Sequence, residues 1–214
     1  GYEKSHPHTN HHGCHGNCTA PPQDPRAFFY SKNIFKQVQQ AQSEWSGYPV
    51  QCARQLEDSN YFYIFDGWES VAHHCGDWIK SETNQKFLTQ LKDDIDVEWM
   101  FHLSMEPSTC TVPLKAPIIA VNRYFVDHEK KADFDAAFKN VGPYLGAHTA
   151  PFTYTGGWRI DKEGGDEEFV VLSGWKTTED HDGFAGAEGL KEFGGTKDAL
   201  SAAEIKHAEL ERWE

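Results

Sequence analysis

Apolar residues return at helical spacing over residues 31–46 (Ile34, Val38, Ala41, Trp45) and predict a helix. "PVQCARQLE" and "NYFYIFDGW" follow as predicted strands on either side of the turn-forming "EDSN". A second helix is expected over about 71–91, where Val71, Cys75, Trp78, Ile79, Phe87, Leu88 and Leu91 make a broad stripe, and "VEWMFHLSM" reads as a strand. Three prolines in residues 106–117 then mark a linker. The order begins again with the strand "PIIAVNRYFV" and a helix marked by Phe134, Phe138, Val141 and Leu145. "YTGGWRI" and "EFVVLSGW" are strands around the turn "DKEGGDE", followed by a glycine-broken helical stretch near 177–193. The last segment, "AEIKHAELERW", suits a helix or a strand on propensity. Strand is favoured, because the segment 107 residues earlier is "VEWMFHL".

The repetition is in register. "FDGWESVAHH" and "LSGWKTTEDH" share apolar–x–Gly–Trp–x5–His; Trp175 minus Trp68 and His181 minus His74 both give 107. Strand–helix–strand–strand–helix–strand is the split βαβ unit, and two such units can close their sheets on each other. The predicted fold is therefore α+β: two ferredoxin-like βαββαβ repeats forming an intramolecular barrel of the dimeric type. The expected division is a His/Gly/Pro-rich segment (1–26), a first repeat (27–105), a linker (106–116) and a second repeat (117–214). At the 107 offset the His-rich segment stands where the second repeat has its first strand, so the first repeat is expected to have lost or replaced that strand, or to take it from outside this sequence.

Composition narrows the function. The 214 residues are 38% hydrophobic with seven Trp, ample for a core, and the net charge of −13 argues against nucleic acid and anionic membranes as partners. No apolar run approaches the roughly 20 residues that span a bilayer. Five scattered cysteines fit a reduced, cytoplasmic protein better than a disulfide scaffold. Phosphate loops, dinucleotide fingerprints and nucleophile elbows are absent.

"GWESVAHHCGDWIKSETNQKFL", "GWKTTEDHDGFAGAEGLKEF" and "IAVNRYFVDHEKKADFDAAF" resemble the strand–helix segments of the antibiotic-biosynthesis-monooxygenase family of dimeric α+β barrels. The resemblance covers most of 117–212 and, more weakly, 31–105. It implies a cofactor-independent monooxygenase-like enzyme, or a cyclase or isomerase, acting on an aromatic or polyketide-like molecule of secondary metabolism. It also implies a pseudo-dimer within one chain and leaves open a further pairing of such chains as a homodimer. A haem-degrading branch carries an Asn on its first strand, matched by Asn122. Its second-helix Trp and His fall at Phe184 and Gly194, or in the first repeat at Trp78 and Leu88, so haem degradation is not expected.

Asn122, His181 and His74 are the candidate catalytic residues. Asn122 shares a strand face with Ala120 and Tyr124. His74 and His181 are the duplicated histidines, suited to general-base work or simply to a first helical turn facing solvent. Trp158, Trp175, Trp68, Trp78, Tyr124 and His102 are candidates for lining a site for an apolar or aromatic ligand, or for filling a core. No cofactor and no metal are expected at that site. The alternatives are a non-catalytic binding barrel and a divalent metal held by His6, His8, His11, His12, His15, Cys14 and Cys18 of the first segment.

Overall fold

The computed structural model describes residues 12–19, 25–105, 112–162, 164–186 and 197–212. The elements run β1 (His12–Thr19), α1 (Pro25–Ser46), β2 (Gln51–Gln55), β3 (Tyr61–Phe65), a π-helical segment (Ala72–Trp78) and α2 (Glu82–Leu91). They continue as β4 (Asp96–Val97), β5 (Phe101–Leu103), β6 (Ile118–Val126), α3 (Lys131–Thr149), β7 (Tyr154–Trp158), β8 (Glu167–Trp175), α4 (Thr178–Gly186) and β9 (Leu200–Leu210). The fold is mixed α+β. Nine strands form one antiparallel sheet in the order β4-β1-β3-β2-β9-β6-β8-β7, with β5 also on β1. Residues 12–103 thus give β4/β5-β1-β3-β2, and residues 118–210 give β9-β6-β8-β7; β2 and β9 join the two runs.

Several expectations change. The first repeat has not lost its first strand: residues 12–19 of the His-rich segment form β1, which takes ladders from β3 on one side and from β4 and β5 on the other. Pairing on both edges overrides a composition poor in strand formers. Residues 1–11, with His6, His8 and His11, lie outside the described residues. The helix expected over 71–91 is two segments, because Ser81 restarts the chain as an N-cap, its Oγ accepting from the Asn84 N–H at 3.1 Å. "VEWMFHLSM" is likewise split into β4 and β5, whereas the final segment is the strand β9. The ladders do not run into a closed ring. The two ends approach at an isolated antiparallel bridge, Leu103–Arg159, flanked by Ser104 N–H to Trp158 O (2.7 Å) and Ile160 N–H to His102 O (3.0 Å).

Alternation on the strands separates two layers. Ile119 and Val121 of β6 join Ala53, Phe101, Leu103 and Leu172 in a core drawn from both runs of strands. Their neighbours Ala120 and Tyr124 face the other way, into a cluster with Phe134, Val141 and Leu145 of α3. α1 and α2 cover the other end with Ile34, Phe35 and Leu91. Glycine in the second Gly-Trp pair is steric: a Cβ on Gly174 would come within 2.7–2.9 Å of Ala116, Pro113 and Phe152.

Candidate active site

Asn122 projects from the middle of β6 onto the α3 side. It is buried there, its Nδ2 donates to Tyr124 Oη at 3.2 Å, and its Oδ1 has no hydrogen-bond partner. An orphaned buried acceptor costs about 1–3 kcal/mol, so it marks a place where a donor is wanted. Asn122 and Tyr124 line a cavity of about 160 Å³ together with Val171, His181 and Phe184, and Lys197 adds a cation to the lining. Burial pushes the Tyr124 phenol up, against the opposing bond from Asn122, so it stays neutral.

His181 sits in the first turn of α4 under Trp175, the two rings 4.9 Å apart. Its Nδ1 is 2.7 Å from His207 Nε2 on β9. His207 Nδ1 is 2.7 Å from Glu57 Oε1, and the His207 backbone N–H donates to both Glu57 oxygens at 2.9 and 3.0 Å. The Leu56 N–H in turn donates to His207 O at 2.8 Å, which pins the carboxylate beside the imidazole. A carboxylate that only accepts fixes the order of protons: His207 Nδ1–H donates to Glu57, and His181 Nδ1–H donates to His207 Nε2. His181 Nε2 is left as a bare lone pair on a residue that lines the cavity.

The same device appears at the far side of the sheet. His74 Nδ1 lies 2.9 Å from His102 Nε2, and His102 Nδ1 lies 2.9 Å from Asp161 Oδ2, which also accepts from the His102 backbone N–H at 3.0 Å. Burial pushes the Asp161 carboxyl up, but bonds from His102 and Arg159 outweigh it and hold it below the ordinary range. Trp68 stacks on His74 at 4.3 Å, as Trp175 covers His181. In each relay the carboxylate comes from the other run of strands.

The structure therefore brings Asn122, Tyr124 and His181 together. His74 and His102 form the separate relay, and Trp68 and Trp175 back the two histidines. Trp78 packs against Trp68 and Trp45, and Trp158 against Phe134 and Phe169 with its Nε1–H on Asp135 at 2.9 Å. His207, Glu57 and Asp161 escape a sequence reading. The one available signal is that a histidine falls in the last strand of each run, His102 and His207, two residues out of the 107 register.

Burial and the neighbouring His207 charge press His181 down from 6.5 to about 4, against the pull of Asp182 and Glu57. The unfolded chain takes up a proton near 6.5 that the fold refuses, so stability falls as pH drops from 6.5 towards 4. The loss at this one group should be about 3 kcal/mol. Urea midpoints at pH 7 and pH 4 should differ less in His181→Asn than in the native chain; an equal difference would refute the assignment.

No family model matches the sequence, and no curated protein matches it. Solved structures do. A monooxygenase candidate from Lactobacillus acidophilus NCFM superposes with a TM-score of 0.66 at 11% identity, covering 94% of both chains. An anthrone oxidase-like protein follows at 0.62 and 10%, covering 94% of this chain and 92% of its own. A haem-binding protein from Thermus thermophilus scores 0.59 at 8%, over 95% of this chain and 92% of its own. The chain shares the mixed α+β fold of these structures. Because a haem-binding protein and chlorite dismutases share this mixed α+β fold, the expectation that the chain works without a cofactor is withdrawn. His181 Nε2 is a ligand-type nitrogen, but the cavity beside it is about 160 Å³, close to the space that holds one benzene. A porphyrin does not fit that space.

Proposed function

We propose that this α+β-barrel protein is a monooxygenase-like enzyme that removes a proton from a small aromatic substrate in the Asn122–His181 cavity. The observation that carries the reading is the buried, unpartnered Oδ1 of Asn122 on the same cavity as the relay histidine. A phenolic hydroxyl supplies the donor that Asn122 lacks, and the ring fills an apolar space of matching size. His181 Nε2 then takes the proton of a second ring hydroxyl, such as catechol and hydroquinone carry, while the first stays on Asn122. As it does so, its Nδ1 proton can pass to His207 Nε2, which places the positive charge beside Glu57 instead of in the cavity. Lys197 on the lining favours the anion that is left.

The duplicated Trp-His pairs and the equal strand orders support two ferredoxin-like repeats, the first completed by β1, as the origin of the chain. The Leu103–Arg159 bridge supports an intramolecular barrel. Oxygen uptake measured with phenol, catechol and hydroquinone tests the function. The native protein should consume oxygen with at least one of them, and Asn122→Ala should lose most of that rate. Binding of all three without turnover would make the cavity a receptor instead of an active site.

A further inference from the structure

Each relay has a third donor beside its first histidine, a thiol in the first relay and the Asp182 carboxylate in the second. Cys75 stands beside His74, and His74 Nδ1, Cys75 Sγ and His102 Nε2 all lie within 4.8 Å of one another. The residue at the equivalent place beside His181 is Asp182, exposed on a regular helix. Cys75 is half-buried instead, on the π-helical segment, whose widened turn is closed by the Ile79 N–H on His74 O at 2.9 Å. Widening the turn brings successive side chains nearer one side of the helix, and such turns are frequent at functional sites.

We propose that His74, Cys75 and His102 form a binding site for a zinc-class divalent ion, separate from the Asn122–His181 cavity. Two imidazoles and a thiolate are borderline-soft donors that suit zinc or cobalt better than calcium or magnesium. Tetrahedral bonds of about 2.0–2.1 Å to nitrogen place two ligating nitrogens about 3.3 Å apart. The His74–His102 nitrogens are 2.9 Å apart, so the rings open by a few tenths of an ångström to admit an ion. Asp161 already holds the outer nitrogen of His102, the carboxylate–histidine support that orients metal-binding imidazoles. On binding, the Cys75 thiol gives up its proton to solvent and the His74 proton moves from Nδ1 to Nε2, so one proton is released per ion. Among the described residues three ligands converge, which leaves a fourth position for a further ligand.

Cobalt(II) titration of the whole chain, followed by visible and near-ultraviolet absorption, tests the site. One equivalent should bind with tetrahedral d–d bands and a thiolate-to-cobalt charge-transfer band. Cys75→Ser, a nearly isosteric change at a half-buried position, should remove the charge-transfer band and weaken binding at least about 10-fold. Asp161→Asn should keep the band and weaken binding about 10–100-fold, and His181→Ala should change neither. A charge-transfer band that survives Cys75→Ser would place the ion on the cysteines of the His-rich segment and overturn the proposal. Failure of the native chain to take up a stoichiometric ion would overturn it as well.

Discussion

His181→Ala should reduce turnover of any phenol the protein accepts by about 10²–10⁴-fold, the usual contribution of a positioned general base. The change leaves Trp175 with Phe184 as its ring partner and His207 with an empty acceptor, yet it removes no residue of the strand core. Binding should survive, because Asn122 and the apolar lining remain, so the loss should fall on kcat more than on KM. Glu57→Gln sharpens the point. Glutamine can donate where glutamate could only accept, and it would reverse the proton order along His207 and His181. His181 Nε2 would then carry a proton and cease to be a base, with kcat reduced while the fold and KM are kept. Glu57 is a positioning residue, and its readout is the tautomer of His181 together with that split in the kinetics. Equal activity in Glu57→Gln would mean that the relay is structural.

The largest stability effect should come from Glu168→Ala. Glu168 is buried on β8; it accepts from Arg123 Nε at 2.6 Å and from Arg159 Nη1 at 3.2 Å. Arg123 also lies over the rings of Trp99, Phe101 and Phe125, with Glu204 as a second, half-exposed carboxylate at 3.1 Å. Removing Glu168 takes the buried carboxylate from both guanidinium groups and leaves them only the more exposed Glu204 (on Arg123) and Asp161 (on Arg159). Breaking a buried pair from one side costs about 3–5 kcal/mol. Glu168→Gln keeps the shape and one of the two acceptor oxygens and should cost less than the alanine. Urea unfolding of the three proteins checks both, and a loss below about 1 kcal/mol for the alanine variant would show that water or Glu204 replaces the carboxylate.

Periodicity made most of the α+β order legible, since long strands such as β6 and β8 and the α3 stripe are local patterns. It failed where partners decide. β1 is built from His, Gly, Cys and Asn, and it is a strand because β3 lies on one side of it and β4 and β5 on the other. The break after Trp78 depends on one cap at Ser81, which a stripe of apolar residues does not register. At the site, Asn122, Tyr124 and His181 were legible because strand alternation and the repeat each placed them. Glu57 and Asp161 were not: each acts on a histidine from the other run of strands, so no spacing along the chain connects them. The size of the cavity, which separates a single ring from a polycycle, is a tertiary property altogether.

The central claim is that His181 presents an unprotonated Nε2 to the cavity. ¹⁵N–¹H correlation of the histidine rings at pH 7, assigned with His181→Asn, measures this directly. The proposed mechanism predicts protonated Nδ1 and pyridine-type Nε2 on His181, with the Nε2 resonance moving when phenol is added. A proton found on Nε2, unmoved by phenol, would contradict it.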